Sequence, residues 1–570
     1  MTKTEFGGAV VSENKLASEI GTRILAAGGS ACDAIIATII AVNTTSPYHS
    51  DLGGGGFGLI QTPRGNFESI NFRHTAPQAA TPEHYKHAST TFGGSAVAVP
   101  GQMKGLEELH RRHGHLPWAD LFTESIALAR EGQEMRADLQ AYIKAEIKGS
   151  SRKGTYMDDP MYSPFFDPDG EVLSIGTRYQ RKEYARALQL IADQGVDVLY
   201  NGEIGQGIVD AVQAAGGLMT LKDLQDYKVE WNEPLCGHYR DHKLWTIPAP
   251  ASGAIWLNTM GILSQFDTEG SGTVTDLHRL TEALRLAYGT RTQLGDPKFN
   301  TGLEAAQQVW ISPEYAKQRA SMIDDAKTFP PEYYTPPKAD IKDCHGTSNV
   351  TVADSDGLVI SITTTVGLSF GSRIITRHGI VLNDSMDDFS VEGKPNWMGY
   401  EPSPANYIAG GKRPLSSSCP FIITDKDNRP VLAGGAAGGS TIISANAQLA
   451  RNVLDYGMSA AEAQRTSRVH NQVMPNVSKL EKPSSHQGIQ IDGFTEEQVK
   501  GLEAKGHKIE WINTSMSTTC AIKFSYEGDQ VEWEPAGEPR KHDSGGSVYR
   551  SSNKPPVKVE TEKDHRCLIL

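Results

Sequence analysis

The run Gly346-Thr347-Ser348-Asn349-Val350-Thr351-Val352-Ala353-Asp354-Ser355-Asp356-Gly357-Leu358-Val359-Ile360-Ser361-Ile362-Thr363-Thr364-Thr365 marks a change of character in the chain. Before it, 324–345 is irregular and rich in Pro and Tyr. Within it, 349–353 and 358–362 alternate β-branched residues. Between them stands Asp354-Ser355-Asp356-Gly357, a turn sequence. Two such runs joined by such a turn predict a β-hairpin.

Outward from the hairpin, both secondary-structure periods recur. Residues 14–43 read as two helices broken at Gly28-Gly29. Ser12 is the expected cap of the first. Ser30 caps the second, with Asp33 three residues on completing a capping box. Asp51 opens a run, Leu52-Gly53-Gly54-Gly55-Gly56-Phe57-Gly58-Leu59-Ile60, that leads into a strand. Helical periodicity marks 101–147, 179–214 and 276–290; in the last, Leu277, Leu280, Leu284 and Leu286 share a face. Gly434-Gly435-Ala436-Ala437-Gly438-Gly439-Ser440 reads as a glycine-dense loop, and 551–570 as a disordered tail. No internal repeat is visible, and the class is mixed α and β.

Composition excludes several roles. The chain has 570 residues, 38% hydrophobic and 22% charged, which is ordinary for a globular protein. Lys+Arg 55 against Asp+Glu 68 gives a net charge of -13, the wrong sign for gripping nucleic acid. Six cysteines without a CxxC argue for buried thiols rather than disulfides or zinc. The first 18 residues lack an apolar core, and the longest apolar run, Ala34 to Val42, is too short to span a bilayer. A cytoplasmic site is the expectation.

Three local signals are decoys. The four glycines 53–56 lack the Gly-Lys-Ser/Thr of a phosphate loop. Asp543-Ser544-Gly545-Gly546 looks like a serine-protease fragment but has no matching histidine motif. His110, His113 and His115 have no acidic or thiolate partner at metal spacing and read as a solvated helix end.

Seven motifs in one order carry more weight. They are Leu52-Gly53-Gly54-Gly55-Gly56-Phe57, Asn71-Phe72-Arg73, Leu294-Gly295-Asp296-Pro297, His345-Gly346-Thr347-Ser348, Met386-Asp387-Asp388-Phe389-Ser390, Gly411 to Ser417 (GKRPLSS) and Gly438-Gly439-Ser440. Together they resemble the γ-glutamyltransferases, also called γ-glutamyl transpeptidases or glutathione hydrolases. Pro402-Ser403-Pro404 and Thr363-Thr364-Thr365 look closest to fungal members. The resemblance runs from about Gly7 to Tyr549.

The resemblance implies an α+β fold, the four-layer αββα sandwich of the N-terminal nucleophile hydrolases. It implies a precursor that cuts itself between Gly346 and Thr347. The products would be a large subunit, 1–346, and a small catalytic subunit, 347–550, intertwined in one core, with the tail 551–570. The Thr347 hydroxyl would be the nucleophile. A hydroxyl needs a base, and the freed α-amine can serve, with a reference pKa of roughly 7.7–8.0. Thr365 would tune the nucleophile, and the N–H groups of Gly438 and Gly439 would hold the oxyanion. Arg73, Ser416 and Ser417 would bind the donor's α-carboxylate, and Asp388 its α-ammonium. The expected partners are a γ-glutamyl donor (glutathione or a conjugate) and an amino acid, dipeptide or water acceptor. No cofactor, metal or nucleic acid is implied.

Three positions depart from the family pattern. Gly367 stands where an asparagine helps hold the donor, Ser385 where Gln or Glu reaches the α-ammonium, and Asn349 where a histidine is usual. The ammonium end therefore reads as thinned to Asp388. The enzyme would either grip glutathione more weakly or prefer a modified γ-glutamyl compound. Rival readings are an acylase of the same mechanism on a non-glutamyl amide, and an uncleaved, non-catalytic homologue. Cys567-Leu568-Ile569-Leu570 fits a prenylation box, the one route to membrane attachment that the sequence offers.

Overall fold

The structure, a computed structural model, describes residues 6–149, 151–268, 270–334, 346–394, 402–513, 516–528 and 530–552. The hairpin forms as the sequence predicts, between strands Ser348–Asp354 and Val359–Thr365. They are antiparallel, with Val350 opposite Ile362 and Val352 opposite Ile360. These four side chains enter one apolar core, while Ala353 and Val359 enter another. That split is the period-two alternation of a strand buried on both faces.

The hairpin is the middle of a seven-stranded antiparallel sheet. Its strands lie in the order Gly545–Ser551, Phe6–Ser12, Ser348–Asp354, Val359–Thr365, Gly55–Gln61, Phe67–Phe72 and Glu230–Asn232. A second antiparallel sheet runs Gln530–Ala536, Thr518–Glu527, Pro430–Ala437, Phe421–Thr424, His242–Thr246 and Leu235–Tyr239. Both sheets contain strands from before and from after residue 346.

Three apolar cores tie these elements together. One joins the first sheet to helices Lys15–Ala26, Ala31–Thr45, Gln102–His113 and Lys182–Gln194. A second joins the second sheet to helices Gly253–Leu263, Val274–Arg291 and Thr441–Leu454. The third lies between the sheets, where Phe57, Leu59 and Val359 meet Ile422, Ile522 and Trp533. Each fully buried side chain of this size stabilises the fold by about 1.5–3 kcal/mol. The class is α+β.

Local chemistry explains the helix ends. The Ser30–Asp33 capping box is formed, and Asp354 Oδ2 also accepts from Ala31 N at 2.8 Å. Every residue of Ala31–Thr45 is buried, so this helix is packed on all sides. The first helix differs from expectation. Asn14, not Ser12, caps it, accepting from Ala17 N at 3.3 Å. Ser12 ends a strand, and its hydroxyl lies 2.9 Å from that of Ser18.

Other boundaries shift as well. The periodic segment 101–147 divides into Gln102–His113, Thr123–Glu131 and Ala137–Ile147. Gly434 to Ala437 belong to a strand rather than a loop. A Cβ on Gly435 would collide with Asn349 Nδ2, so glycine here reflects close sheet packing. Only Gly438 and Gly439 turn the chain, at φ +132° and +63°. Ser551 closes a strand opposite Phe6; the rest of the expected tail, from 553 with Cys567, lies outside the described residues, as does His345. No helix among the described residues is long and apolar enough to cross a membrane.

Candidate active site

Thr347 lies at the start of the hairpin, buried, with its Oγ1 3.4 Å from Thr365 Oγ1. Thr365 ends the partner strand. Its hydroxyl donates to the Gly346 carbonyl and accepts from Gly367 N at 2.8 Å. The carbonyl before Thr347 is thus polarised by the neighbour of the Thr347 hydroxyl. A Cβ on Gly346 would collide with Gly367 O, so no other residue fits there without movement.

A cavity of about 50 Å³ opens beside Thr347. Of the residues singled out by sequence, Arg73, Thr347, Thr365, Gly367, Asp388, Ser416, Ser417 and Gly439 line it. Gly438 lines a second cavity of about 400 Å³, which shares Thr347 with the first and adds Gly346. The nucleophile candidate therefore stands in the wall between two chambers. Gly438 and Gly439 lead into helix Thr441–Leu454, whose N-terminal amides favour negative charge at this point.

Arg73 follows strand Phe67–Phe72, and Asp388 ends the short 3-10 turn Ser385–Asp388. The two form an ion pair, with the Arg73 side chain 1% exposed and Asp388 12%. The serines are held from behind. Arg291 Nη2 donates to Ser417 Oγ at 2.8 Å, and Ser416 N donates to Pro250 O at 2.8 Å. Ser252 Oγ donates to Ser416 O at 2.6 Å and receives Arg291 Nε at 3.2 Å. Asn406 Nδ2 reaches Asp388 O at 2.7 Å, and its Oδ1 receives Leu415 N at 3.1 Å. The motif at 294–297 enters through Asp296, whose Oδ2 accepts from Arg413 N at 2.9 Å.

Arg291 and Asn406 line the cavity and went unread in the sequence; Ser403 lines it too and was read only as part of Pro402-Ser403-Pro404. Arg291 stands three residues before Leu294-Gly295-Asp296-Pro297, the only sequence signal it had.

Two of the three departures from the family pattern lie off the cavity. Ser385 is fully buried, 3.0 Å from His74 Nδ1, and does not line the cavity. Asn349 is a hub between the sheets: its Nδ2 meets Thr363 Oγ1 and Ile362 O at 3.1 Å, and its Oδ1 accepts from Thr351 at 3.1 Å. The decoys are accounted for by packing. Ser544 Oγ donates to Ser12 O at 3.0 Å; His113 Nε2 meets Glu68 at 3.0 Å, and His110 Nε2 meets Leu116 O at 2.8 Å.

Among the described residues, His278, Glu282 and His507 approach one another at metal-ligand spacing. The two imidazoles hydrogen-bond each other at 2.8 Å, and Glu282 accepts from Thr328 at 2.6 Å and from Tyr334. The protein itself satisfies this group.

A nucleophile candidate walled by an arginine, an aspartate and two serines invites comparison with known proteins. The family pattern described as "Gamma-glutamyltranspeptidase" matches residues 17–548. The chain belongs to that family. "Glutathione hydrolase proenzyme" of Arthroderma benhamiae is 37% identical over 559 residues, covering 95% of this chain and 92% of the relative. The Escherichia coli protein of the same name is 33% identical, with the same coverage. Among solved structures, cephalosporin acylase from Bacillus halodurans matches with a TM-score of 0.81 at 26% identity, over 95% of this chain and 96% of that one. The γ-glutamyltranspeptidase of Helicobacter pylori matches at 0.53 and 27% identity, over 56% of this chain and 93% of that one.

As a γ-glutamyltranspeptidase, the chain has a specific reason for lacking a side chain at 367. Gly367 sits at φ +96°, and a Cβ there would collide with Asp384 Oδ1. Burial pushes the Asp384 carboxyl well above the usual carboxylate range, and the charges of Asp388 and Asp387 push the same way.

Proposed function

We propose that this chain, an enzyme of γ-glutamyl hydrolysis and transfer, works through an ester on Thr347 that it can form only after cutting itself. The observation that carries the reading is the contact of Thr365 with both the Thr347 hydroxyl and the Gly346 carbonyl.

In the first step Thr347 Oγ1 attacks the Gly346 carbonyl carbon. The Gly346–Thr347 C–N bond breaks, its nitrogen takes the hydroxyl proton, and an ester joins Gly346 to Thr347. Water then opens the ester, leaving a carboxylate on Gly346 and a free amine on Thr347. The products are 1–346 and 347–570. Their interleaved strands support the four-layer αββα arrangement of the N-terminal nucleophile hydrolases, with one shared core.

In turnover the new amine takes the Thr347 hydroxyl proton as Oγ1 attacks the donor's γ-carbonyl. Negative charge on that oxygen faces Gly438 and Gly439, and each well-placed donor is worth about 2.7–4 kcal/mol. The leaving amine takes a proton, a γ-glutamyl ester remains, and an amine acceptor or water resolves it. The donor's α-carboxylate would exchange onto Arg73, Ser416 and Ser417, and its α-ammonium onto Asp388. Arg73 and Asp388 hold each other. A donor that takes up both groups would part that pair and replace it with its own carboxylate and ammonium.

Glutathione is the donor we propose, with cysteinylglycine leaving. The test is release of glutamate and cysteinylglycine from glutathione by the purified protein. Thr347→Ala is expected to lower the rate about 10⁴-fold or more. Wild-type protein that releases neither product, or a variant as fast as wild type, contradicts the reading.

A further inference from the structure

We infer that Asp384 is a specificity-determining residue of the donor pocket, supplying beside Asp388 the second carboxylate that reads the donor's α-ammonium. The inference rests on the γ-glutamyl reading above and deepens it.

Four observations converge on Asp384. Its place against the pocket wall is set by Gly367, which lines the donor cavity and has no side chain because Asp384 Oδ1 fills that space. The carboxyl is 1% exposed, and Oδ1 accepts from Leu368 N at 2.9 Å. Oδ2 is buried with no hydrogen-bond partner among the described residues. Leaving such an atom unmet costs free energy unless something arrives to meet it. Finally, Asp384 precedes the short turn that Asp388 ends: Asp388 lines the cavity, and Asp384 lies directly behind Gly367, which lines it too.

Its neighbours have other work. Asp387 accepts from Thr90 at 2.6 Å and Thr91 at 3.1 Å. Asp388 pairs with Arg73. Ser385 turns to His74. Asp384 thus stands where the missing side chain at 367 would have reached, and it brings a carboxylate in place of an amide. Burial raises this carboxyl well above the usual carboxylate range and so favours its neutral form while no cation is near. An arriving ammonium favours the ionised form, and the carboxyl releases its proton to solvent.

The pocket that results is charge-complementary to an α-amino-acid end. Arg73, with Ser416 and Ser417, faces the carboxylate; Asp388 and Asp384 face the ammonium. It selects γ-glutamyl donors whose α-amine is free: an N-acylated or des-amino analogue brings no cation to favour the ionised form of Asp384 and forgoes that contact.

Two chromogenic donors separate the roles: γ-glutamyl-p-nitroanilide and glutaryl-p-nitroanilide, which keeps the carboxylate but lacks the ammonium. The readout is the ratio of their kcat/KM values. Asp384→Asn keeps the shape and an acceptor for Leu368 N while removing the charge. The γ-glutamyl to glutaryl ratio is expected to fall about tenfold or more in the variant, mainly through KM for the γ-glutamyl donor. Should Asp384→Asn not fold, Asp384→Ser is read by the same ratio. An unchanged ratio in an active variant overturns the role of Asp384 and leaves the γ-glutamyl reading intact. Wild-type protein inactive on both donors overturns that reading, and this inference with it.

Discussion

The hydroxyl of Thr365 is engaged on three sides: it donates to Gly346 O and accepts from Gly367 N and from Thr347. A residue so placed can polarise the carbonyl that is to be attacked and orient the attacking hydroxyl. Thr365→Val keeps the β-branched shape and deletes the polar atom. Self-cleavage is expected to slow by about 10²-fold or more, the scale of losing one donor to a developing oxyanion. A time course on a denaturing gel checks it; a valine variant that splits as fast as wild type would contradict the assignment. At this scale the sequence revealed much through motif order. Thr347, Thr365, Arg73, Asp388, Ser416, Ser417 and Gly439 do meet in one cavity. What stayed hidden depended on contacts distant in sequence. Nothing local says that Asp384 occupies the space over Gly367, or that Arg291 holds the hydroxyl of Ser417. Ser385 lies off that cavity because a short turn decides which of its residues face it, and periodicity has no purchase on a turn.

Asp354 shows how one element fastens another. Its Oδ1 closes the hairpin turn by accepting from Asp356 N and Leu358 N at 3.0 Å, and its Oδ2 caps helix Ala31–Thr45 through Ala31 N. Burial pushes this carboxyl up to about 6 against the pull of those donors. The unfolded value is about 3.9. Between the two, the folded chain holds a proton that the unfolded chain has lost, so stability falls as pH rises. The contribution is full below pH ~4 and gone above pH ~6. Asp354→Asn removes this slope. In the Thr347→Ala background, where the chain is expected to stay whole, the protein that keeps Asp354 is compared with its Asp354→Asn variant. Its stability relative to that variant is expected to drop by up to ~3 kcal/mol between about pH 4 and pH 7. Urea unfolding at several pH values measures it, and a flat difference would refute it. The hairpin was legible because its alternation and turn are local. Gly434 and Gly435 were not, since only the opposing Asn349 reveals that a strand runs there. The first helix cap moved from Ser12 to Asn14 because strand pairing claimed Ser12 first.

Across the whole molecule, the sheets interleave the two sides of residue 346. The strand that begins just after Thr347 lies between Phe6–Ser12 and Val359–Thr365, and Gly55–Gln61 flanks the latter. A cut at 346 therefore leaves no element without its neighbours, and the new terminus stays buried between the two chambers. The proposed break at the reactive centre would thus leave both new ends held by strands on either side. Intact-mass spectrometry of the denatured wild-type protein, with and without acid-quenched exposure to glutathione, tests this most directly. The account predicts two chains, 1–346 and 347–570, with the second gaining the mass of one glutamyl residue on Thr347 when donor is present. A single uncut chain, or a glutamyl group carried on any other residue, would contradict it.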